Sequence, residues 1–245
     1  MRAQADRTRL NRPAFLFATG SGGTTIDRDA FGGNPFATAL IQLAADERTS
    51  LQRLPGRLRA LTVRASGGRQ VPEWRVWPAR RSWSFGLQPG SREERRCALV
   101  LVVSDYTGAG LRSLPGAARD ERRIAAMLGA NGFSVVQGIA PTRSAILHTL
   151  TRFGRHARAH DVAVVYSTGH GVECNGIVHL LPGDYPLAEG LSPARLRTRA
   201  VSVDRIARAC RAGKLNLVLF AGCRTLASTL IAPDRSRRTT RSRSS

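Results

Sequence analysis

The sequence predicts an α/β domain of three layers (α/β/α), in which a mostly parallel sheet lies between helices. Two observations support this fold class. Apolar runs of strand length recur along the chain, and amphipathic helical patterns separate them. Runs that are apolar at every position are typical of strands buried on both faces. Strands that alternate with helices indicate a parallel sheet with helices on both sides.

The second half of the chain carries the clearest pattern. Strands are predicted at 97–103, 133–137, 161–166 and 215–220. Helices are predicted at about 117–129, from about 141 onwards, and at 203–211. After the third strand, the dipeptide Asn175-Gly176 indicates a β-hairpin, because Asn-Gly readily adopts the tight turn that joins two antiparallel strands. The order strand, helix, strand therefore repeats along this half.

The first half is less regular. A strand is predicted at 14–18, helices at 35–45 and about 51–63, and an edge strand at 71–77. The stretch 79–96 is rich in Arg, Ser and Gly and is interpreted as a linker. We expect a flexible N-terminus at 1–13 and a disordered basic tail at 232–245. Residues 14–78 and 97–231 are expected to form one domain.

The net charge of the 245-residue chain is +21, but its distribution argues against a dedicated nucleic-acid site. Lys214 is the only lysine, and the arginines are spread along the chain apart from the C-terminal tail. This pattern fits a bias towards GC-rich codons. We therefore favour a solvated basic surface over a polyanion site, although a basic chain of this kind can bind nucleic acid.

No stretch approaches the roughly 20 apolar residues of a membrane helix, and the N-terminus lacks the apolar segment of a secretory signal. A cytoplasmic protein without membrane association is the default expectation. The four cysteines show no CxxC spacing, so neither a zinc site nor a disulfide scaffold is expected. No cofactor is predicted, while calcium dependence and oligomeric state stay open.

Two polar motifs follow predicted strands. The third strand of the second half leads into Ser-Thr-Gly-His170-Gly, and the fourth leads into Ala-Gly-Cys223-Arg. Ligands of open α/β sheets bind beyond the carboxyl ends of the strands, so both motifs lie at the edge where an active site is expected. Taken alone, a loop histidine is more often structural, and a cysteine at a strand end more often belongs to the core. The presence of both residues at the same edge of the sheet favours a catalytic role for the pair.

A thiol and an imidazole at one sheet edge can act as a nucleophile and its base. The imidazole of His170 would take the proton of Cys223, and the thiolate would attack a carbonyl carbon. The oxyanion that develops needs fixed N–H donors, for which the backbone amides of Gly171 and Cys223 are the candidates.

The stretch from Ala98 to Arg224 resembles the large-subunit region of caspase-like cysteine peptidases, in particular the bacterial, metacaspase-related branch of peptidase family C14. The similarity runs through ALVLVVSDY, LPGAARDERRIAAML, DVAVVYSTGHG, HLLPGDY and LNLVLFAGCR. The 53-residue separation of His170 and Cys223 also fits the spacing known for caspases. The resemblance implies a caspase-like fold and a cysteine endopeptidase that forms a thioester at Cys223, with His170 as general base.

The N-terminal segments AFLFATGSGG, GGNPFATALI and GGRQVPEW resemble the small-subunit region, which in this family normally follows the nucleophile. Here they precede it. The sequence therefore predicts a circular permutation, in which residues 14–78 complete the sheet. A fragment of a tandem protein or a truncated reading frame is the alternative explanation.

The specificity of such a peptidase is left open by the sequence. Family members carry Asp or Gln two residues before the nucleophile, where a pocket receives the residue before the scissile bond, but this chain has Ala221. Glu173, Asp184 and Asp105 are candidate substrate-binding acids, with ordinary loop or hairpin carboxylates as the alternative. The expected partner is a protein or peptide substrate. A catalytically inactive scaffold of the same fold is the rival function.

Overall fold

The computed structural model describes residues 12–46, 49–76, 83–86, 94–139 and 142–227. Its strands are β1 (Ala14–Phe17), β2 (Glu73–Arg75), β3 (Arg96–Val102), β4 (Phe133–Ile139), β5 (Val162–Thr168), β6 (Gly171–Cys174), β7 (Ile177–Leu180), β8 (Val201–Ser202), β9 (Leu215–Phe220) and β10 (Thr225–Leu226). Its helices are α1 (Pro35–Ala44), α2 (Leu54–Ala65), α3 (Pro115–Ala130), α4 (Arg143–Ala157), α5 (Pro193–Arg199) and α6 (Val203–Ala207).

Six of the strands form the central sheet, in the order β2-β1-β9-β5-β3-β4. Every neighbouring pair from β1 to β4 is parallel, and only β2, at the edge, is antiparallel. The register places Ser167 of β5 opposite Phe220 of β9. The loops that follow these two strands therefore leave the sheet side by side, and the predicted mostly parallel sheet is confirmed.

Helices cover both faces of this sheet. Along β3, Cys97, Leu99 and Leu101 belong to one buried cluster, and the intervening residues belong to the other. The first cluster includes apolar side chains of α4, α5 and α6, and the second includes those of α1, α2 and α3. Because consecutive strand residues point to opposite faces, an all-apolar strand packs against both helical layers. The predicted three-layer α/β/α fold is confirmed.

A second, smaller sheet has the order β10-β6-β7-β8. Strands β6 and β7 form the predicted hairpin, and Asn175 and Gly176 both have positive φ in its turn, at 52° and 74°. Positive φ at both central residues is the requirement that makes Asn-Gly a hairpin signal. This sheet carries the chain directly onward from the end of β5.

The first half of the chain adds β1 and β2 to the edge of the central sheet, where β1 pairs with β9 along Ala14–Phe17. Helix α2 begins three residues later than predicted, because Ser50 bridges Ser84 and the Leu51 N–H donates to the Trp83 carbonyl. Within the predicted linker, Phe85 is buried in the core. Most of that linker, the predicted N-terminus and the tail lie outside the described residues.

Candidate active site

His170 and Cys223 lie in the adjacent loops that follow β5 and β9, and both line the same two cavities. The loops approach each other closely. A Cβ at Gly171 would collide with the Cys223 carbonyl oxygen, and one at Gly222 would lie 2.6 Å from the Gly169 carbonyl oxygen. Glycine at these positions is therefore what allows the two loops to meet.

The His170 loop is fixed by hydrogen bonds to its backbone and its ring. The Tyr106 hydroxyl accepts a hydrogen bond from the His170 N–H at 2.7 Å and donates one to the Leu181 carbonyl at 2.9 Å. The Tyr106 ring stands edge-on to the imidazole, 4.4 Å between centroids. Burial raises the pKa of Tyr106 above its ordinary value, which keeps this hydroxyl neutral.

The imidazole Nε2 of His170 lies 2.7 Å from the carbonyl oxygen of Arg112. Because a carbonyl can only accept, Nε2 must carry the proton and donate it. In the neutral ring, Nδ1 then carries the lone pair, so it is the nitrogen that can accept a proton. The Arg112 carbonyl thus sets both the tautomer and the orientation of the ring.

The Cys223 thiol is in contact with the N-terminal region of the chain. Its Sγ lies 3.2 Å from the backbone N of Thr25, which donates to it, and 3.3 Å from the Thr25 hydroxyl. The Gly22 N–H donates to the Arg224 carbonyl, and the Arg224 N–H donates to the Gly23 carbonyl, both at 2.9 Å. Thr25, from the first half of the chain, is therefore in direct hydrogen-bond contact with this sulfur.

Arg224, the residue after Cys223, anchors the loop that carries Cys223. Its buried guanidinium contacts the buried Glu173 carboxylate of β6 at 2.9 Å and the half-exposed Glu73 carboxylate of β2 at 2.7 Å. The same group lies 4.7 Å above the ring of Phe17 in β1. The Cys223 loop is therefore tied to both sheets and to both halves of the chain.

The predicted oxyanion donors lie where the two loops meet. In the described part of the chain, the Cys223 N–H has no hydrogen-bond partner, so it is available to a ligand. Gly171 begins β6 immediately after His170 and packs against the Cys223 carbonyl. An oxyanion-hole role for these two amides stays a prediction.

One of the two cavities beside the dyad is polar and has a volume of about 420 Å³. Its charged lining, apart from His170, consists of Asp27, Arg28, Arg112 and Asp120. Ala221 also lines it. Both halves of the chain thus contribute to this cavity.

The two carboxylates of the polar cavity have different surroundings. Asp27 accepts hydrogen bonds from the N–H groups of Gly116 and Ala117 in the first turn of α3. Asp120 is buried, and burial raises its pKa to about 7, although the Asn34 N–H and the Arg123 guanidinium, which both donate to it, act in the opposite direction. Asp120 can therefore change charge close to neutral pH.

The three acids that the sequence proposed for substrate binding lie elsewhere. Glu173 is engaged with Arg224. Asp184 accepts a hydrogen bond from the Arg143 N–H at the start of α4. Asp105 accepts hydrogen bonds from the Thr107 N–H and hydroxyl, which lower its pKa. None of the three is among the described residues that line the two cavities, and their substrate-binding role stays a prediction.

The second cavity beside the dyad has a volume of about 480 Å³ and is mostly apolar. Five aliphatic side chains line it, namely those of Leu111, Val172, Leu181, Leu187 and Leu191. It shares His170 and Cys223 with the polar cavity. His170 and Cys223 therefore line one cavity with four charged side chains and a second that is mostly apolar.

A separate cluster joins Cys97, His156 and His160, whose ligand atoms lie within 4.8 Å of one another. The His160 Nδ1 donates to the His156 carbonyl at 2.9 Å. One thiol and two imidazoles form a donor set that suits Zn²⁺. As a nucleophile Cys97 is unsuited, because burial raises its pKa to about 12. The cluster also lies at the start of β3, away from the edge that carries His170.

The comparisons with known proteins agree with this geometry. The family model of the caspase domain, peptidase family C14, matches residues 95–244, which is more than half of the chain and includes both His170 and Cys223. No curated protein matches the chain. The chain belongs to the caspase-domain family of peptidases.

Proposed function

We propose that the chain is a cysteine endopeptidase in which His170 is the general base and Cys223 the nucleophile. The observation that carries the proposal is their meeting at one sheet edge, between two shared cavities. The protonated Nε2 of His170 leaves Nδ1 as the basic nitrogen, and Thr25 offers donors to the Cys223 sulfur. A fold without catalytic activity would not require this arrangement.

In the proposed reaction, Nδ1 of His170 takes the proton of the Cys223 thiol, and the thiolate attacks the carbonyl carbon of the scissile bond. The amides of Gly171 and Cys223 bind the oxyanion of the tetrahedral intermediate. The imidazolium then protonates the leaving nitrogen, the C–N bond breaks, and a thioester remains. Water attacks the thioester while His170 takes its proton, which releases the acid and restores the thiol.

We further propose that residues 14–78 replace the small-subunit region in permuted order. Two observations support this. Strand β1 pairs with β9, the strand that leads into Cys223, and β2 closes that edge. Thr25, between them in sequence, contacts the Cys223 sulfur. A segment that contacts the nucleophile is part of the catalytic domain rather than an appendage.

The polar cavity is the proposed site for the residue before the scissile bond. Ala221 lines this cavity, and it occupies the position where family members carry the residue of that pocket. Asp27 and Asp120 favour a basic side chain, while Arg28 and Arg112 favour an acidic one. The proposed substrates are proteins or peptides, and a library must decide between these preferences. The cysteines of the described chain are free, which suits a reducing compartment such as the cytoplasm.

The test combines thiol labelling with turnover. Wild type, Cys223→Ala, His170→Ala and Cys174→Ala are treated with a peptide electrophile and with a peptide library varied before the scissile bond, with and without calcium. Cys174 is the matched control, because it is a partly exposed thiol on the hairpin that follows His170. We expect wild type and Cys174→Ala to react and cleave, and the other two to do neither. A folded wild type that neither labels at Cys223 nor cleaves would make the protein a scaffold.

A further inference from the structure

We propose that the apolar cavity receives the side chain of the residue immediately after the scissile bond, so that the enzyme prefers an aliphatic residue there. This rests on the proposed endopeptidase function and names the substrate class of the same site. The structure supplies three arguments: the walls of the cavity, the placement of its charges, and its position relative to the dyad.

The walls are preformed by side chains that belong to the core. Val172, Leu181 and Leu191 are at most 5% exposed, so the cavity is bounded by packed residues. The wall is joined to the catalytic loop, because the Leu181 N–H donates to the His170 carbonyl at 2.8 Å. The Tyr185 hydroxyl, which donates to the Gly190 carbonyl at 2.9 Å, closes the loop that carries Leu187 and Leu191. A preformed pocket binds its ligand at a lower ordering cost than one that must form on binding.

The lining also selects by charge. The described residues that line this cavity include no Asp, Glu, Lys or Arg. A charged side chain placed there would lose hydration without gaining a partner, which is unfavourable. An aliphatic side chain would instead exchange water for leucine and valine contacts. The polar cavity, with two carboxylates and two guanidinium groups, offers the opposite environment.

The position of the cavity assigns it to the leaving half of the substrate. The scissile carbonyl carbon must lie at the Cys223 sulfur, and the leaving nitrogen must lie near His170, which protonates it. The lining of the polar cavity includes Ala221, which assigns that cavity to the residue before the bond. Among the described residues, the apolar cavity shares only His170 and Cys223 with the polar one, and its wall includes Gly171 and Val172, which directly follow His170. The residue that leaves with the nitrogen therefore faces the apolar cavity.

The first test uses quenched fluorescent peptides that are identical before the scissile bond and carry Leu, Gly, Asp or Lys after it. We expect kcat/KM for Leu to exceed that for Gly about tenfold or more, as for an aliphatic group that enters an apolar pocket, with Asp and Lys lowest. Leu187→Ser should remove most of the Leu preference, because Leu187 is a partly exposed residue of the cavity wall at the margin of the core. Leu147→Ser is the matched control, a partly exposed leucine on α4 away from the dyad.

The second test probes the apolar cavity through the capture of the thioester by an added amine. Leucinamide or glycinamide is added during turnover. Its free α-amino group attacks the thioester carbonyl carbon, His170 takes a proton from that amino group, and the C–S bond breaks to release Cys223. Leucinamide should capture the acyl group about tenfold more efficiently than glycinamide in wild type and in Leu147→Ser, and Leu187→Ser should lose this difference.

The outcomes separate the two proposals. Cleavage with no more than twofold difference between Leu and Gly, and equal capture of both amides, overturns the cavity assignment while the endopeptidase stands. Preference for Asp or Lys after the bond also overturns it. Absence of both cleavage and Cys223 labelling overturns the endopeptidase, and the cavity assignment with it.

Discussion

His170 and Cys223 meet at one site but are held by different parts of the chain. The contacts of His170 come from Tyr106, Arg112 and Leu181, within about 65 residues of it and inside the region that matches the caspase domain. The sulfur of Cys223 is contacted by Thr25, which is 198 residues away and outside that region. His170 is therefore supported by residues near it in sequence, and the surroundings of Cys223 depend on the pairing of the two halves.

This difference has a consequence for folding. Strand β1 covers β9, the strand that carries Cys223, and the side chains of α1 and α2 complete one of the two buried clusters. Without them, a buried parallel strand would become an unpaired edge with exposed apolar residues. The matched region alone therefore lacks part of its core as well as the surroundings of the nucleophile.

The largest expected effect follows from dividing the two halves. Residues 94–245 produced alone should show no cooperative thermal transition and no labelling at Cys223, because β9 and one face of the sheet lose their cover. Co-expression with residues 1–93, which include the buried Phe85, should restore both, since β1 and the Thr25 loop can pair again. Circular dichroism and labelling by a peptide electrophile measure the outcome.

If residues 94–245 alone fold and Cys223 is still labelled at the wild-type rate, the inference that Cys223 depends on the N-terminal half is wrong. It would mean that the nucleophile does not need the N-terminal half. Loss of labelling with retention of a cooperative transition would instead confine the role of that half to the site.

A smaller effect is expected at His170, whose contacts come from its own half of the chain. Tyr106→Phe removes the hydroxyl that accepts from the His170 N–H and donates to the Leu181 carbonyl, so two buried groups lose their partner. Such a loss costs about 1–3 kcal/mol of the free energy of unfolding. We also expect a roughly tenfold or larger loss of kcat, because the loop that carries His170 loses a hydrogen bond that positions its backbone. Denaturant unfolding and peptide cleavage check the two effects.

Tyr166→Phe is the matched control for this prediction. Tyr166 is also fully buried, but its hydroxyl has no hydrogen-bond partner among the described residues. Removing an unpartnered hydroxyl should leave stability unchanged or raise it. Equal losses in the two variants would show that Tyr106 acts by packing alone.

The same contrast explains how much the sequence could predict. The boundaries of β9 agree with the prediction, and those of β3, β4 and β5 agree within two residues, because continuous apolar runs are unambiguous when a strand is buried on both faces. The placement of His170 and Cys223 followed from where those strands end. Short elements such as β8 and β10, with two residues each, have no periodicity to detect.

The residues that the sequence missed lie where distant segments meet. Thr25 is in a Gly-, Ser- and Thr-rich stretch that resembles any loop, and its role arises only when β1 pairs with β9. Asp120 lies on a helix face where an acid is ordinarily solvated, and only the packing of the Asn34 loop buries it. Glu173 is the opposite case. The sequence marked it as a candidate substrate-binding acid, but its carboxylate is paired with Arg224, 51 residues away in the sequence.

The smallest expected effect concerns Asp120, which both halves enclose. Its pKa in the folded state, raised to about 7 by burial, lies above its unfolded value of 3.8, so the protonated form stabilises the fold and this contribution is lost as pH rises from about 4 to about 7. The same ionisation makes the polar cavity more negative. The ratio of kcat/KM for a peptide with Arg before the scissile bond to that for its neutral citrulline analogue should therefore rise from pH 6 to pH 8 by up to about fivefold.

A ratio is the right measurement for this effect, because any pH dependence that is common to the two peptides cancels. Asp120→Asn should flatten the profile. Asp105→Asn should not, since the hydrogen bonds from Thr107 hold the pKa of that exposed carboxyl below its usual value and it keeps its charge throughout this range. A ratio that stays constant with pH in wild type would place the basic or acidic selectivity of the cavity on Asp27 and the two arginines instead.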